Sequence, residues 1–216
     1  MKLRGQRYKQ LLPSSTPSPV CAMAPLTLPP LTGAAAASTP LLPLPSDASK
    51  PPTPAHTLWA DRPAVVLLVR RPGCQLCRAE ATQLYKIKPE LDALGVSLTA
   101  VLHESIPEQV AEFTGKFWPG ACLLDERKDL FSFLGGGVLR KGTLLTFLNP
   151  FSRVWSNAKA AEGVEGNFTG DGLTLGGLLV VKRGGEVQYA YQEEVFGDHA
   201  PKEDVLRAAR EAAGKA

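Results

Sequence analysis

An α/β fold, with parallel strands continued by an antiparallel hairpin and covered by helices, is predicted by three features of this 216-residue chain. Short apolar runs of strand length recur at Ala64 to Val69, Val96 to Leu102 and Ala121 to Asp125. Between them the apolar spacing changes to that of a helix, and alternation of strand and helix implies right-handed crossovers and a parallel sheet. Near the carboxyl end, Leu178 to Lys182 and Val187 to Tyr191 flank Arg183-Gly-Gly-Glu186, where two glycines supply the positive φ angles of a tight hairpin turn.

The elements follow in order. Ala64-Val-Val-Leu-Leu-Val69 is unbroken and rich in branched residues, the pattern of a strand buried on both faces. Arg70-Arg-Pro-Gly73 ends it, and from Cys74 a helix is expected to run to Gly95, its apolar stripe made by Leu84, Ile87, Leu91 and Leu94. Pro89 is expected to kink that helix, since proline removes a backbone donor and crowds the preceding turn. After the second strand, Ser105-Ile-Pro-Glu108 reads as a capping box with proline in the first turn of a short helix reaching Phe117. Residues 130–172 read as a partly helical insertion. A last helix is expected from Lys202 to Ala213, with Val205, Leu206 and Ala209 inward. Three parallel strands, a hairpin and a closing helix is the thioredoxin-like arrangement.

Composition divides the chain. Twelve of its nineteen prolines lie between Pro13 and Pro54, and only two of its twenty glycines precede residue 57. Residues 1–56 are therefore read as a disordered Pro/Ser/Ala-rich extension, with too little branched and aromatic side chain to offset the entropy of ordering it. Its basic start, its Ser, Thr and Ala content and the lack of any acid before Asp47 match a transit peptide, favouring the plastid (chloroplast stroma), with a cytoplasmic protein as the alternative. Residues 57–216 are read as one domain, a comfortable size for a single core. They carry 19 basic and 20 acidic residues, so the net charge of +3 comes from the extension. No basic field points to nucleic acid, and no apolar run is long enough to span a membrane.

Four cysteines without a secretory signal point to chemistry more than to a disulfide framework. Cys74-Gln-Leu-Cys77 lies where a strand ends and a helix begins, a place where unpaired N–H groups and the helix dipole favour a thiolate. Arg70, Arg71 and Arg78 are positioned to add positive potential. Cys74, expected at an exposed helix end, is the attacking thiol. Cys77, one turn further on, resolves the intermediate as an internal disulfide. Half of a zinc site is the competing reading, but the chain offers no second C-x-x-C and only His56, His103 and His199. No metal or flavin is required.

Other residues carry ordinary readings. Cys122 is a small buried thiol in a core strand, and Cys21 lies in the extension. Trp118, Trp155, Tyr189 and Tyr191 are packing or hairpin residues. Glu80 is read as a solvated helix charge, with proton transfer as the alternative. Asn167 and Asp171 belong to a loop that the topology places near the dithiol.

At Arg70-Arg-Pro-Gly-Cys-Gln-Leu-Cys-Arg-Ala-Glu80 the chain resembles the peroxiredoxin-like 2 family, in the AhpC/TSA-type branch of the thioredoxin superfamily. Leu94-Gly-Val-Ser-Leu98, Leu123-Leu-Asp-Glu126, Gly166-Asn-Phe-Thr-Gly-Asp-Gly-Leu-Thr-Leu-Gly-Gly177 and Glu194-Val-Phe-Gly-Asp198 continue the resemblance over roughly residues 58–213. It implies an antioxidant thiol oxidoreductase whose redox pair is Cys74 and Cys77, reducing a peroxide, an endoperoxide or a protein disulfide, with an external thiol such as thioredoxin as reductant. One branch of the family reduces prostaglandin endoperoxides. A redox-regulatory binding protein without turnover is the alternative. The chain departs from typical peroxiredoxins, which carry Pro and Thr where Leu67 and Arg71 stand, and from thioredoxins, whose cis-proline is replaced by Leu175-Gly-Gly177.

Overall fold

The computed structural model describes residues 28–31, 35–47, 49–149 and 152–215. Its strands are β1 (Pro40–Leu44), β2 (Thr53–Pro54), β3 (Ala64–Val69), β4 (Ser97–Leu102), β5 (Ala121–Leu124), β6 (Gly177–Val181) and β7 (Val187–Gln192). Among the described residues they form one sheet in the order β2-β1-β5-β4-β3-β6-β7. The β3–β4 and β4–β5 pairs are parallel and the β3–β6 and β6–β7 pairs antiparallel. This is the thioredoxin-like arrangement expected from the apolar runs, with its hairpin turn at positive φ on Gly184 and Gly185.

Every residue of β3 is buried, and the two faces of the strand feed two cores. Val65, Leu67 and Val69 meet α1 (Gln75–Tyr85), α2 (Lys88–Leu94) and α6 (Lys202–Ala212) through Leu84, Leu91, Val205 and Ala209. Ala64, Val66 and Leu68 belong to a second cluster with Trp59, and with Leu130, Phe131 and Leu134 of α4 (Asp129–Leu134). Burial on both sides explains why β3 needs no polar alternation. Two further helices, α3 (Pro107–Glu112) and α5 (Arg153–Ala160), complete the described elements of α-helix.

Three expectations are corrected. Part of the extension is in the fold: Leu42, Pro43 and Leu44 of β1 pair antiparallel with Leu124, Leu123 and Cys122 of β5. Leu31 and Leu41 are buried in one core and Leu44 in the other. Prolines are tolerated here because β1 and the two-residue β2 lie at the margin of the sheet, and the leucines between them supply the apolar surface. Residues 1–27, with Cys21 and most of the transit-peptide reading, lie outside the described residues. Next, Pro89 does not kink one long helix but starts a second, standing in the first turn of α2, where its missing donor has no helical partner to lose. Finally, Ser105 forms no capping box. Ile106 is the N-cap of α3 without a side-chain bond, although Pro107 does occupy the first turn as expected.

The insertion is partly helical as expected, containing α4, a 3-10 turn at Leu144–Leu148 and α5. No helix of the described residues is long and apolar enough to cross a membrane.

Candidate active site

Arg70 and Arg71 follow the last residue of β3, and Pro72-Gly73 turns the chain into α1 with Cys74 as its N-cap. The turn is held by the Cys74 N–H donating to the Arg71 carbonyl at 3.2 Å and the Arg78 N–H donating to the Cys74 carbonyl at 3.0 Å. Strand end and helix start thus place both cysteines as their spacing predicts. Both are free thiols.

Cys74 is not at an exposed end, however. It is 4% accessible and Cys77 is 2% accessible. The covering element is the loop of residues 165–174, the same loop whose Asn167 and Asp171 were expected near the dithiol. The Asn167 N–H donates to the Gly73 carbonyl at 2.7 Å. Arg70 donates to the Gly172 carbonyl at 3.0 Å, and Arg71 to the Asn167 and Thr169 carbonyls at 2.6 and 3.3 Å. Arg78 donates to the Pro72 and Glu165 carbonyls at 2.8 and 2.9 Å. Three arginines therefore fasten the loop over the dithiol. Burial of the thiols depends on this contact across about a hundred residues of chain, which local spacing does not reveal.

The electrostatics divide the two sulfurs. Arg70 Nη2 donates to Cys74 Sγ at 2.7 Å. The Cys74 thiol is drawn down to about 5, by hydrogen bonding from Cys77 first and by Arg70 and Arg71, against the opposing effect of burial. Cys77 is pushed well above the ordinary thiol range, because its S–H donates a hydrogen bond to Cys74, it is fully buried and it lies beside a thiolate. One sulfur is thus favoured as a thiolate and the other as a thiol. Of the three arginines expected to supply potential, Arg78 contributes chiefly structure, its guanidinium being occupied by Pro72, Glu165 and Glu112.

Behind the dithiol lies a cluster that residue spacing did not predict. Glu80, read from sequence as a solvated charge, has a side chain only 10% exposed and pairs with His199 Nδ1 at 3.1 Å. Glu193, at the end of β7, is 2% exposed and accepts from the Gly176 N–H at 2.8 Å. Burial, with Glu80 adding to it, raises the Glu193 carboxyl to about 8. One ligand atom from each of Glu80, Glu193 and His199 lies within 4.8 Å of the other two, close enough to hold a metal ion or to share protons. The one legible signal was Glu80 three residues beyond Cys77, on the same helix face.

The remaining residues are placed plainly. Cys122 is buried, its thiol raised to about 12 by burial, as a core cysteine should be. Trp118 is fully buried, donating to the Ala121 carbonyl and meeting Tyr85 edge to face. Trp155 is half exposed and does not belong to the core.

Comparison with known proteins identifies the family and the fold. Residues 83–195 match the model of the AhpC/TSA antioxidant enzyme family, a stretch that begins after the two cysteines. The chain is 40% identical to Peroxiredoxin-like 2A of Rattus norvegicus over 159 residues, covering 72% of this chain and 66% of that protein. It is 38% identical to the Danio rerio protein of the same name, covering 72% of each. It is 36% identical to the Prostamide/prostaglandin F synthase of Salmo salar, covering 71% of this chain and 77% of that protein. Among solved structures, the Xanthomonas campestris bacterioferritin comigratory protein aligns over 87% of this chain and 98% of its own, with a TM-score of 0.55 at 16% identity, a likeness of fold. The chain thus belongs to the AhpC/TSA antioxidant enzyme family, in its peroxiredoxin-like 2 group, and is an oxidoreductase of that kind.

Proposed function

We propose that this protein is a thiol peroxidase whose redox centre is Cys74 and Cys77. The observation that carries the reading is the opposite treatment of two adjacent buried sulfurs: Cys74 is drawn down to about 5 and Cys77 held up as a thiol. At neutral pH Cys74 is a thiolate, the form that attacks a peroxide oxygen. The O–O bond breaks, the alcohol leaves with one added proton, and Cys74 becomes a sulfenic acid. Cys77 displaces hydroxide from it, forming the disulfide and water. An external dithiol, such as thioredoxin, returns the two electrons by exchange. Arg71 stands where a typical peroxiredoxin threonine would position the peroxide, and its guanidinium is engaged with the loop carbonyls of Asn167 and Thr169.

A lipophilic peroxide or endoperoxide suits the surroundings. Phe168, 93% exposed, lies within 5.8 Å of the Arg71 guanidinium, and Leu173 is exposed on the same loop. The name of the Salmo salar relative supports the endoperoxide. A redox-gated binding surface is the second reading, favoured by the fastening of the 165–174 loop through the arginine that also holds the Cys74 sulfur. We also propose plastid targeting by a segment ending before Leu28, with a cytoplasmic location as the alternative. The basic, acid-poor start supports targeting, and Leu31, buried and bonded to the Gly185 carbonyl, already belongs to the fold.

The test is stopped-flow mixing of the reduced full chain with hydrogen peroxide and then an organic endoperoxide, with products counted by mass spectrometry. Loss of two thiols and gain of one disulfide is expected, abolished by Cys74→Ser and halted by Cys77→Ser at a sulfenic acid with hydrogen peroxide or at a sulfenate ester with the endoperoxide. Stoichiometric oxidation without turnover in the presence of thioredoxin and its reductase would favour the binding reading.

A further inference from the structure

The buried acid cluster is built onto the dithiol from several elements. Cys77 and Glu80 are three residues apart on α1 and share a face. Glu193 is anchored twice to Gly176: its carboxylate accepts the Gly176 N–H, and its own N–H donates to the Gly176 carbonyl at 3.1 Å. Gly176 in turn packs on the end of β3, so closely that a Cβ there would run into the Leu68 carbonyl and stand 3.2 Å from the Arg70 nitrogen. The strand end that supplies Arg70 to Cys74 therefore also seats Glu193. His199, preceding α6, closes the set against Glu80. Exposure rises along the cluster from Glu193 at 2%, to the Glu80 side chain at 10%, to the His199 side chain at 31%.

A protonated resolving thiol in a dry site needs somewhere to put its proton. Building on the dithiol chemistry above, we propose that Glu193, Glu80 and His199 are the proton path of Cys77, taking its proton as the disulfide closes and meeting solvent at His199. The charges present make this workable. Arg70 and the Cys74 thiolate balance one another, as do His199 and Glu80 when the imidazole is protonated. As pH rises through about 8, one further negative charge appears on Glu193, which interacts electrostatically with Cys77, and both groups raise the affinity of Arg70 for its proton. Glu193 is faced by Glu80 and Cys77 of α1, Arg70 beyond β3 and His199 before α6, while His199 is faced by Glu80, Glu193 and Asp198.

The step balances as follows: Cys77 gives its proton to the Glu193 carboxylate, the Cys77 sulfur bonds to the Cys74 sulfur, and the group leaving Cys74 takes the bonding pair. If that group is hydroxide, the proton ends in water. If it is a weakly basic thiolate, the proton leaves by Glu80 and His199. Reduction of the disulfide returns one proton to Cys77 by the same route.

An aromatic disulfide, dithiobis(nitrobenzoic acid), separates the two sulfurs without needing peroxide. Applied to the reduced full chain carrying Cys21→Ser, it should release one nitrothiobenzoate as Cys74 attacks and a second as Cys77 closes the disulfide, with Cys77→Ser losing the second. In Glu193→Gln the ratio of second-phase to first-phase rate should fall by about 100-fold, the lower edge of general-base effects. Its rise with pH, centred near 8 in the wild type, should move to higher pH, and Glu193→Asp should restore it. Glu80→Gln, altering a group nearer the surface, should slow the second phase in the same sense and serves if Glu193→Gln does not fold. A wild-type ratio and pH profile in these variants would overturn the proton path alone. Absence of any second phase in the wild type would overturn the dithiol chemistry and the path with it.

Discussion

Arg70 joins the two halves of the site, since one guanidinium nitrogen donates to the Cys74 sulfur and another to the Gly172 carbonyl of the covering loop. Its stacking over the Phe196 ring, 4.7 Å from the centroid, holds the guanidinium in place. Removing the charge in Arg70→Met should raise the Cys74 midpoint from about 5 by at least about 1 unit, the usual effect of an opposite charge in contact. Ultraviolet thiolate absorbance against pH reads this directly, and an unchanged midpoint would assign the low value to Cys77 and Arg71. The placement of Cys74 and Cys77 was legible in sequence because their surroundings are local: a strand end, Pro72-Gly73 and a helix start. Glu193 and His199 were not legible. Glu80 lies over a hundred residues from both, and nothing in its spacing shows that the end of β7 and the segment before α6 will bury it.

At the scale of elements, the largest misreading concerned residues 28–56. Counting prolines treated the segment as a tail, whereas the physical question was whether its leucines find cores to enter. Leu31, Leu41 and Leu44 do, and β1 covers the β5 edge that would otherwise present unpaired backbone. Burying three leucines contributes roughly 5 kcal/mol at about 1.5–3 kcal/mol for each. That is comparable with the whole stability of a domain, about 5–15 kcal/mol. A chain cut to residues 57–216 should therefore be largely unfolded or aggregated, while residues 28–216 should melt within a few degrees of the full chain. Scanning calorimetry of the two truncations decides it, and equal melting would show β1 to be an ornament of the sheet. The single long helix expected from Cys74 was misread for a related reason. Its apolar stripe does continue through Leu84, Ile87 and Leu91, but two helices joined near Pro89 bury the same stripe without losing a hydrogen bond.

Over the whole molecule, the strand order followed from runs of apolar residues because parallel strands buried on both faces carry an unmistakable pattern. The pH dependence of stability follows instead from the buried groups that the fold collects. The Glu193 carboxyl is raised to about 8 in the folded protein, against about 4.3 in an unfolded chain. Between those values the native state binds more protons, so this group makes stability fall as pH rises. His199 acts in the same direction over a higher window. Its imidazole is raised to about 9, with Glu80 and Glu193 overcoming the opposing effect of burial, so its contribution is full below about 6.5 and lost as pH rises through 9. Cys74 opposes both: its depressed thiol contributes stability that is present above about 8.5 and lost as pH falls through about 5. Glu193→Gln removes the first of these slopes and weakens the second, in the same direction. Taking about 2 kcal/mol for a group whose charge is shared with neighbours, the Tm of the variant relative to reduced wild type should climb by about 4–8 °C between pH 5 and pH 8. A difference constant over that range would mean that Glu193 titrates as an ordinary carboxylate and that the buried charge is balanced by other groups.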